Sequence, residues 1–441
     1  MSAARLGYTA FVWFAAPFAA LYLLWRSRKQ PEYRAHWGER FGWARYPQAT
    51  ASRPLIWVHA VSVGETRAAE PLIAALLNAY PQHGLLLTHM TPTGRETGRS
   101  IVEKWPGRVT QVYLPYDLPF AVRRFLRALR PVVGIGMETE TWPNLLAVAR
   151  EEGVPMVLVN ARLSEKSFAQ AQRTPNLVRE AAGNFSLVLA QTAADAERMR
   201  QVGAERVEVV GNLKFDFTPS PELVAAGHRL RAALGPRPLL LCASTREGEE
   251  PLILDALQAL DARTAVLIVP RHPQRFDDVA RLLASRGLKF ARRSALKSGS
   301  DPDFRAPPSL VGEKSGSDPD FLLGDSMGEM AMYYAAADVA LIGGSLLPLG
   351  GQNLIEACAV GTPVVVGPHT FNFEQATHDA IEAGAAERAA SPAEAIARMC
   401  AIAEDGVKRQ AMSEAAQRFA AQHRGATQRT LDRLKPFVSA R

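Results

Sequence analysis

Cysteine is scarce: three in 441 residues, Cys242, Cys358 and Cys400, far apart and without any C-x-x-C pair. That excludes a disulfide framework and suggests no zinc site. A reducing compartment fits, with all three as buried small hydrophobes. Zinc-finger spacing, an RNP-like aromatic stretch and a Lys/Arg block are also lacking, so nucleic acid ranks last among the partners a basic protein could take. Charged residues are moderate at 22% and nearly half the chain is apolar, which describes an ordered globular protein rather than a disordered one. Its length predicts two domains of roughly 200 residues.

What is present begins with an uneven charge. The net +7 belongs to the front: residues 1–220 hold 26 Lys and Arg against 18 Asp and Glu, the remainder 25 against 26. Such a surplus suits an anionic membrane surface or an anionic substrate. Residues 8–25, YTAFVWFAAPFAALYLLW, carry no charge and are long enough to cross a bilayer or to lie deeply in one leaflet. Tyr8, Trp13, Tyr22 and Trp25 stand toward the ends, where interfacial aromatics belong. A collar of Arg26, Arg28, Lys29 and Arg34 follows, with no small-residue cleavage site, which argues against a removed signal peptide. Residues 1–30 are therefore expected to be a membrane anchor, spanning or monotopic, and the positive-inside rule keeps the bulk of the chain cytoplasmic. Pro17 leaves open a helix docked on its own domain.

From residue 55 short apolar runs alternate with helical periodicity: LIWVHAVS, GLLLTHM, VTQVYLP, VVGIGME, PMVLVNA, SLVLAQT and VEVVG. The rhythm restarts after GNLKFDFTPSPE with PLLLCAST, AVLIVPRH, VALIGGS and TPVVVGP. Both halves read as βαβ units building parallel sheets. The expected fold is α/β, with two Rossmann-like domains at 31–212 and 213–441, the last helix packing back on the first domain, and ligands in the cleft between them. One octamer, KSGSDPDF, occurs at 297–304 and again at 314–321. Its paired aspartates, Asp301 and Asp303, then Asp318 and Asp320, mimic a metal-binding D-x-D, but the Ser/Gly/Pro/Asp composition predicts a surface loop.

Carboxylates stand where strands end. Glu65 follows Gly64 after the first strand; Gly64 is expected to let the chain turn tightly, and Glu65 could either complement a helix dipole or face the ligand crevice. Glu138 and Glu140, two apart, would share one face of a strand, and Glu140 could equally cap the next helix. Together they suggest a proton acceptor and a group that orients a hydroxyl. The second half supplies candidate anion-binding groups: Lys214, then Ser244, Thr245 and Arg246, then Arg271 and His272, then Gly343, Gly344, Ser345 and Asn353, each after a strand or at the opening of a helix, where exposed backbone N–H groups favour phosphate. Glu356 is suited to accept from ribose hydroxyls.

The ordered motifs SVGET, MTPTGRETG, VYLPYDLP, METETWPNL, NARLS, GNLKFD, STREGEE, VPRHPQRF, MGEM and GPHTFNFE resemble the 3-deoxy-D-manno-octulosonic acid (Kdo) transferases of lipopolysaccharide assembly, over nearly the whole chain. The resemblance implies a GT-B glycosyltransferase at the bacterial inner membrane, its catalytic domains on the cytoplasmic side. The first domain would take a lipid A precursor and the second CMP-Kdo. Transfer would invert the anomeric centre without cofactor or metal. By matching motif, Glu65 would be the general base, with Ser62, Gly64 and Glu138 on the acceptor side. Lys214 and Arg271 would face the donor phosphate with Ser345 nearby, Met327, Gly328 and Glu329 would line the cytosine, and Asn353 and Glu356 the ribose. Gln352 departs from the family pattern, which commonly has His there, and so does Leu354-Ile355, where Pro-Leu is usual. The nearest alternatives are a GT-B-fold sugar-nucleotide epimerase, which needs no anchor, a membrane glycosyltransferase with a diphosphate donor, and a basic membrane-attached binding protein without turnover.

Overall fold

The computed structural model describes residues 2–28, 30–44, 46, 53–259, 264–295 and 320–439. The chain divides into two compact units, residues 1–216 with 424–441, and residues 217–423. Each is built on its own parallel sheet of seven strands.

In the first unit the strands are β1 (Leu55–His59), β2 (Gly84–His89), β3 (Val109–Tyr113), β4 (Pro131–Met137), β5 (Met156–Ala161), β6 (Leu187–Ala190) and β7 (Val207–Val209). Their spatial order is β3-β2-β1-β4-β5-β6-β7. β1 is buried along its whole length and feeds two cores: Ile56 and Val58 join the cluster on one face, Leu55 and Trp57 that on the other. Alternate side chains point to opposite faces of a strand, so a run apolar at every position requires cover on both. The chain order reverses between β1 and β4, and such a switch point opens a crevice at the carboxyl ends of the strands. Asp216 accepts from the backbone N–H groups of Gly425 and Thr427, which ties the closing helix, Ala426–Val438, to this unit. Arg429 reinforces the tie by donating to the Val210 carbonyl at 2.8 Å.

The second unit repeats the plan with β8 (Leu239–Thr245), β9 (Ala265–Pro270), β10 (Phe290–Arg292), β11 (Asp320–Leu323), β12 (Val339–Ile342), β13 (Val364–Val366) and β14 (Ala386–Arg388). The order β10-β11-β9-β8-β12-β13-β14 places its switch point between β8 and β12. Strands β10, β11 and β14 are not among the runs picked out in the sequence; each is short and carries a charged residue that interrupts any apolar run. Asp301, Asp303, Asp318 and the octamer's first copy lie outside the described residues. The end of the second copy does not follow the loop expectation: Asp320 and Phe321 open β11, and Phe321 is 1% exposed beside β9 and β10. A sheet neighbour on each side decides the conformation of this segment, against its local composition.

The uncharged N-terminal run forms one helix, Ala3–Arg26, continuous through Pro17 and capped by the Ser2 hydroxyl, which accepts from Arg5 N. Its length is about 36 Å. One side is fastened to the first unit. The Tyr8 hydroxyl donates to Asp117 at 2.9 Å, the Thr9 hydroxyl meets the Asn144 side-chain carbonyl at 2.9 Å, and Arg5 pairs with Glu180 at 3.3 Å. Trp13 stacks on Phe120. The other side exposes Phe11, Phe14, Phe18, Leu21 and Trp25, each more than half exposed.

Candidate active site

At the first switch point, the turn after β1 leads into the Val63–Ala79 helix. Ser62 is its N-cap: the hydroxyl accepts from Glu65 N, and the Glu65 carboxylate accepts from Val61 N and Ser62 N in return. This capping box satisfies orphan N–H groups at the helix start, so Glu65 has a local structural role beyond complementing the dipole. Gly64 differs from expectation. It lies within the helix, its φ is not positive, and an added Cβ would meet only Ser62 Oγ, at 3.9 Å. The turn belongs to Ser62; the missing side chain at Gly64 leaves space over the helix end.

Glu138 follows β4 on the other side of the crevice, with φ +55°. That left-handed backbone, strained for a non-glycine residue, lies outside the strand. The shared strand face expected for Glu138 and Glu140 is therefore not how they are arranged. Glu140 also does not cap the following helix, whose N-cap is Trp142 with no side-chain bond; its carboxylate instead accepts from Trp142 Nε1 at 2.5 Å. Glu138 pairs with Lys214 at 2.9 Å. Lys214 sits in the first unit, not with the second; its backbone N–H donates to Asn212 at 3.0 Å, and the preceding Leu213 N donates to the side-chain carbonyl of Asn160, fully buried at φ +55°, at 3.0 Å. Burial, then the charge of Glu140, raises Glu65 to about 7, against opposing hydrogen bonds from Val61 and Ser62, with Glu138 adding to the rise.

At the second switch point Ser244, the penultimate residue of β8, has φ +57°, and Gly343 touches it so closely that a Cβ would lie 2.3 Å from the Ser244 carbonyl oxygen. Arg246, Arg271 and His272 gather at this edge with Arg275. Desolvation first, then the three arginines, hold the His272 imidazole below its usual pKa. Arg271 Nε donates to the Gln352 side-chain carbonyl at 3.1 Å, which gives the residue at the departing position an orienting role. Asn353 accepts from Ile355 N at 3.0 Å and donates to Glu356 at 3.1 Å. Met327, Gly328 and Glu329 stand after β11; Met327 is 53% exposed, and Glu329 accepts from Arg293 at 2.8 Å and from Ser326.

Three expectations fail here. Ser345 is fully buried, its hydroxyl donating to Ile342 O and accepting from Gly367 N, so it braces the turn after β12 and offers no surface to a ligand. Thr245, 1% exposed, likewise donates its hydroxyl to Glu250 at 2.8 Å. The Gly-rich turn is not an open anion nest either. Glu249, with no exposure, accepts from Arg246 N at 2.8 Å, Gly344 N at 2.6 Å and Leu346 N at 3.0 Å. The chain's own carboxylate occupies the N–H groups that would favour phosphate. Asn160, Glu249, Arg275 and Arg293 take part in these networks and were not selected by the sequence reading.

Two doubly wound parallel sheets, each with charged groups at its switch point, define an α/β protein of the GT-B type. Solved structures agree in fold alone: Anabaena HepE in complex with UDP-glucose (17% identity, TM-score 0.55, covering 87% of this chain and 99% of that one) and UDP-GlcNAc 2-epimerase from Neisseria meningitidis (14%, 0.55, 87% and 100%). Residues 35–217 match the family model of 3-deoxy-D-manno-octulosonic-acid transferase. The 3-deoxy-D-manno-octulosonic acid transferase of Bordetella pertussis is 48% identical over 95% of this chain and 97% of its own length, and that of Haemophilus influenzae 34% over 98% and 99%. The chain belongs to the Kdo transferase family and is a glycosyltransferase; the epimerase likeness extends only to the fold.

Proposed function

We propose that the protein transfers Kdo from CMP-Kdo to a hydroxyl of a lipid A precursor, with inversion and without a metal ion. The observation that carries this reading is Glu65: a half-buried carboxylate, raised to about 7, at the mouth of the β1/β4 switch point. A base with that affinity for protons is poised for proton abstraction near neutrality. Glu65 takes the acceptor hydroxyl's proton, the acceptor oxygen bonds to the anomeric carbon of Kdo, and the bond to the phosphate breaks with its electron pair leaving on CMP. The bare helix end at Gly64 admits the acceptor beside Ser62, and Glu138, fixed by Lys214, orients it. CMP carries one phosphate, so cationic side chains suffice to neutralise the leaving group. Arg271, oriented by Gln352, takes that role, with Arg246 and His272 beside it. Glu356 and Asn353 serve the ribose, Met327 to Glu329 the base.

The direct test is to incubate the protein with CMP-Kdo and lipid A precursor and to weigh the product lipid. Added masses of Kdo are expected, inhibited by CMP and not by UDP, and unaffected by EDTA. No mass gain from a folded protein that still binds CMP would favour a binding protein. Arg271→Ala is expected to lower transfer by about 10²-fold or more, because a charge-assisted contact strengthens as the phosphate leaves. Normal single-turnover rates in that variant would move the leaving-group role to Arg246.

The same reading places the protein on the cytoplasmic face of the inner membrane. The N-terminal helix lies along the first unit in the interface, its Phe11, Phe14 and Phe18 side in the acyl region and Arg26, Arg28 and Arg34 at the headgroups. Phe11, Phe14 and Phe18 changed together to Ser are expected to abolish flotation with anionic vesicles while thermal unfolding stays near that of the parent. Retained flotation would count against this helix as the anchor.

A further inference from the structure

A buried polar chain runs behind Glu65 that neither the acceptor nor the donor reading uses. Trp57 Nε1 donates to Thr88 Oγ1 at 2.8 Å, and Thr88 Oγ1 lies 2.8 Å from His59 Nδ1. Trp57, Thr88 and His59 are all at most 1% exposed. Because the Thr88 oxygen accepts from Trp57, its own proton is free to point at a neighbour. Its contact to His59 Nδ1 is shorter than the 3.5 Å to Val58 O, and shorter than the 3.3 Å from Nδ1 to the Thr88 carbonyl. With Thr88 as the donor, Nδ1 accepts and the ring proton sits on Nε2. Nε2 is buried, makes no hydrogen bond and lies 3.4 Å from Glu140 Oε2. Trp142 Nε1–H donates to the same oxygen at 2.5 Å.

From this geometry we propose that His59 is a positioning residue for the transfer reaction: with Trp142 it fixes the Glu140 carboxylate at the edge of the sheet that carries Glu65. The proposal rests on Glu65 being the base. A negative neighbour disfavours ionisation of the next carboxylate. Among the effects acting on Glu65, the charge of Glu140 ranks directly after burial, ahead of Glu138. The other charged groups at this edge act differently. Lys214 is paired with Glu138. His89, behind His59, has Nδ1 on the Ala60 carbonyl at 2.9 Å and is held well below the usual imidazole value by burial.

The experiment is the pH dependence of single-turnover transfer for the full chain and the variants Glu140→Gln, His59→Leu and His59→Gln, with CMP binding and melting measured on each. Glu140→Gln keeps an acceptor for Trp142 and loses the charge. Its acid limb is expected to move to lower pH by about one unit, with a plateau reduced severalfold because Glu65 becomes a weaker base. His59→Leu should shift the limb in the same direction by less, and His59→Gln, which retains an N–H donor, should restore part of the shift. An unmoved acid limb in Glu140→Gln and His59→Leu overturns the proposal even if their rates fall, since a purely structural role lowers rate without moving the limb. Robust transfer by Glu65→Gln would instead remove the base assignment itself, so the two failures are separable.

Discussion

Glu65→Gln is expected to transfer Kdo at least about 10²-fold more slowly than the unmodified protein, and to be the more stable of the two above pH 7. The rate follows from removing the base. The stability follows from linkage. Burial and the neighbouring carboxylates raise Glu65 from 4.5 to about 7 in the fold. Its contribution is fully present below the unfolded value and is lost as pH rises through about 7, because ionisation then takes place where water is scarce. Gln has no charge to desolvate, and it can still accept from Val61 and Ser62 in the capping box. The variant should gain on the order of 1–3 kcal/mol at pH 8, after allowance for the solvent that still reaches the group, and almost nothing below about pH 4. In the unmodified protein, transfer should rise about tenfold between pH 6 and pH 8 as the base deprotonates. Melting curves at the two pH values with a rate profile decide the matter; a variant no more stable at pH 8 than its parent would show that Glu65 is not held against its ionisation.

The second large effect is expected on the donor side, at Glu249. Replacing it by Ala leaves the N–H groups of Arg246, Gly344 and Leu346 without their acceptor, inside a turn where Gly344 has φ +70°. Each orphaned buried donor costs about 1–3 kcal/mol, so the full chain should lose several kcal/mol in urea unfolding and bind CMP at least tenfold more weakly. Glu249→Asp, which keeps the charge on a shorter arm, should fold and recover part of both. CMP binding unchanged in Glu249→Asp and Glu249→Ala alike would mean that this turn does not shape the nucleotide site.

Much of the molecule was legible before any coordinates. Apolar runs of five to eight residues predicted eleven strands because a strand covered on both faces must be apolar throughout. Charged and Gly-rich segments at the strand ends marked the regions that carry Glu65, Glu138, Arg246 and Arg271. The misreadings share one cause: a residue type states what a side chain can do, while its neighbours decide what it does. Gly64 reads as a turn and is helical. Ser345 reads as a phosphate ligand and is a brace. The nest around Gly344 reads as open and is filled by Glu249, which stands 95 positions earlier.

The sequence by itself determined the α/β class, the apolar N-terminal helix and the motifs that place the chain in its family, since periodicity, composition and motif order are properties of the chain read in one direction. Only the tertiary structure decided that Lys214 pairs with Glu138, that His59 stands against Glu140, and that the N-terminal helix is fastened by Tyr8 and Thr9 to the first unit. Those facts depend on which strand ends the switch points bring together. Strand order is set by the packing of helices on a twisted sheet, a long-range outcome that no local pattern encodes.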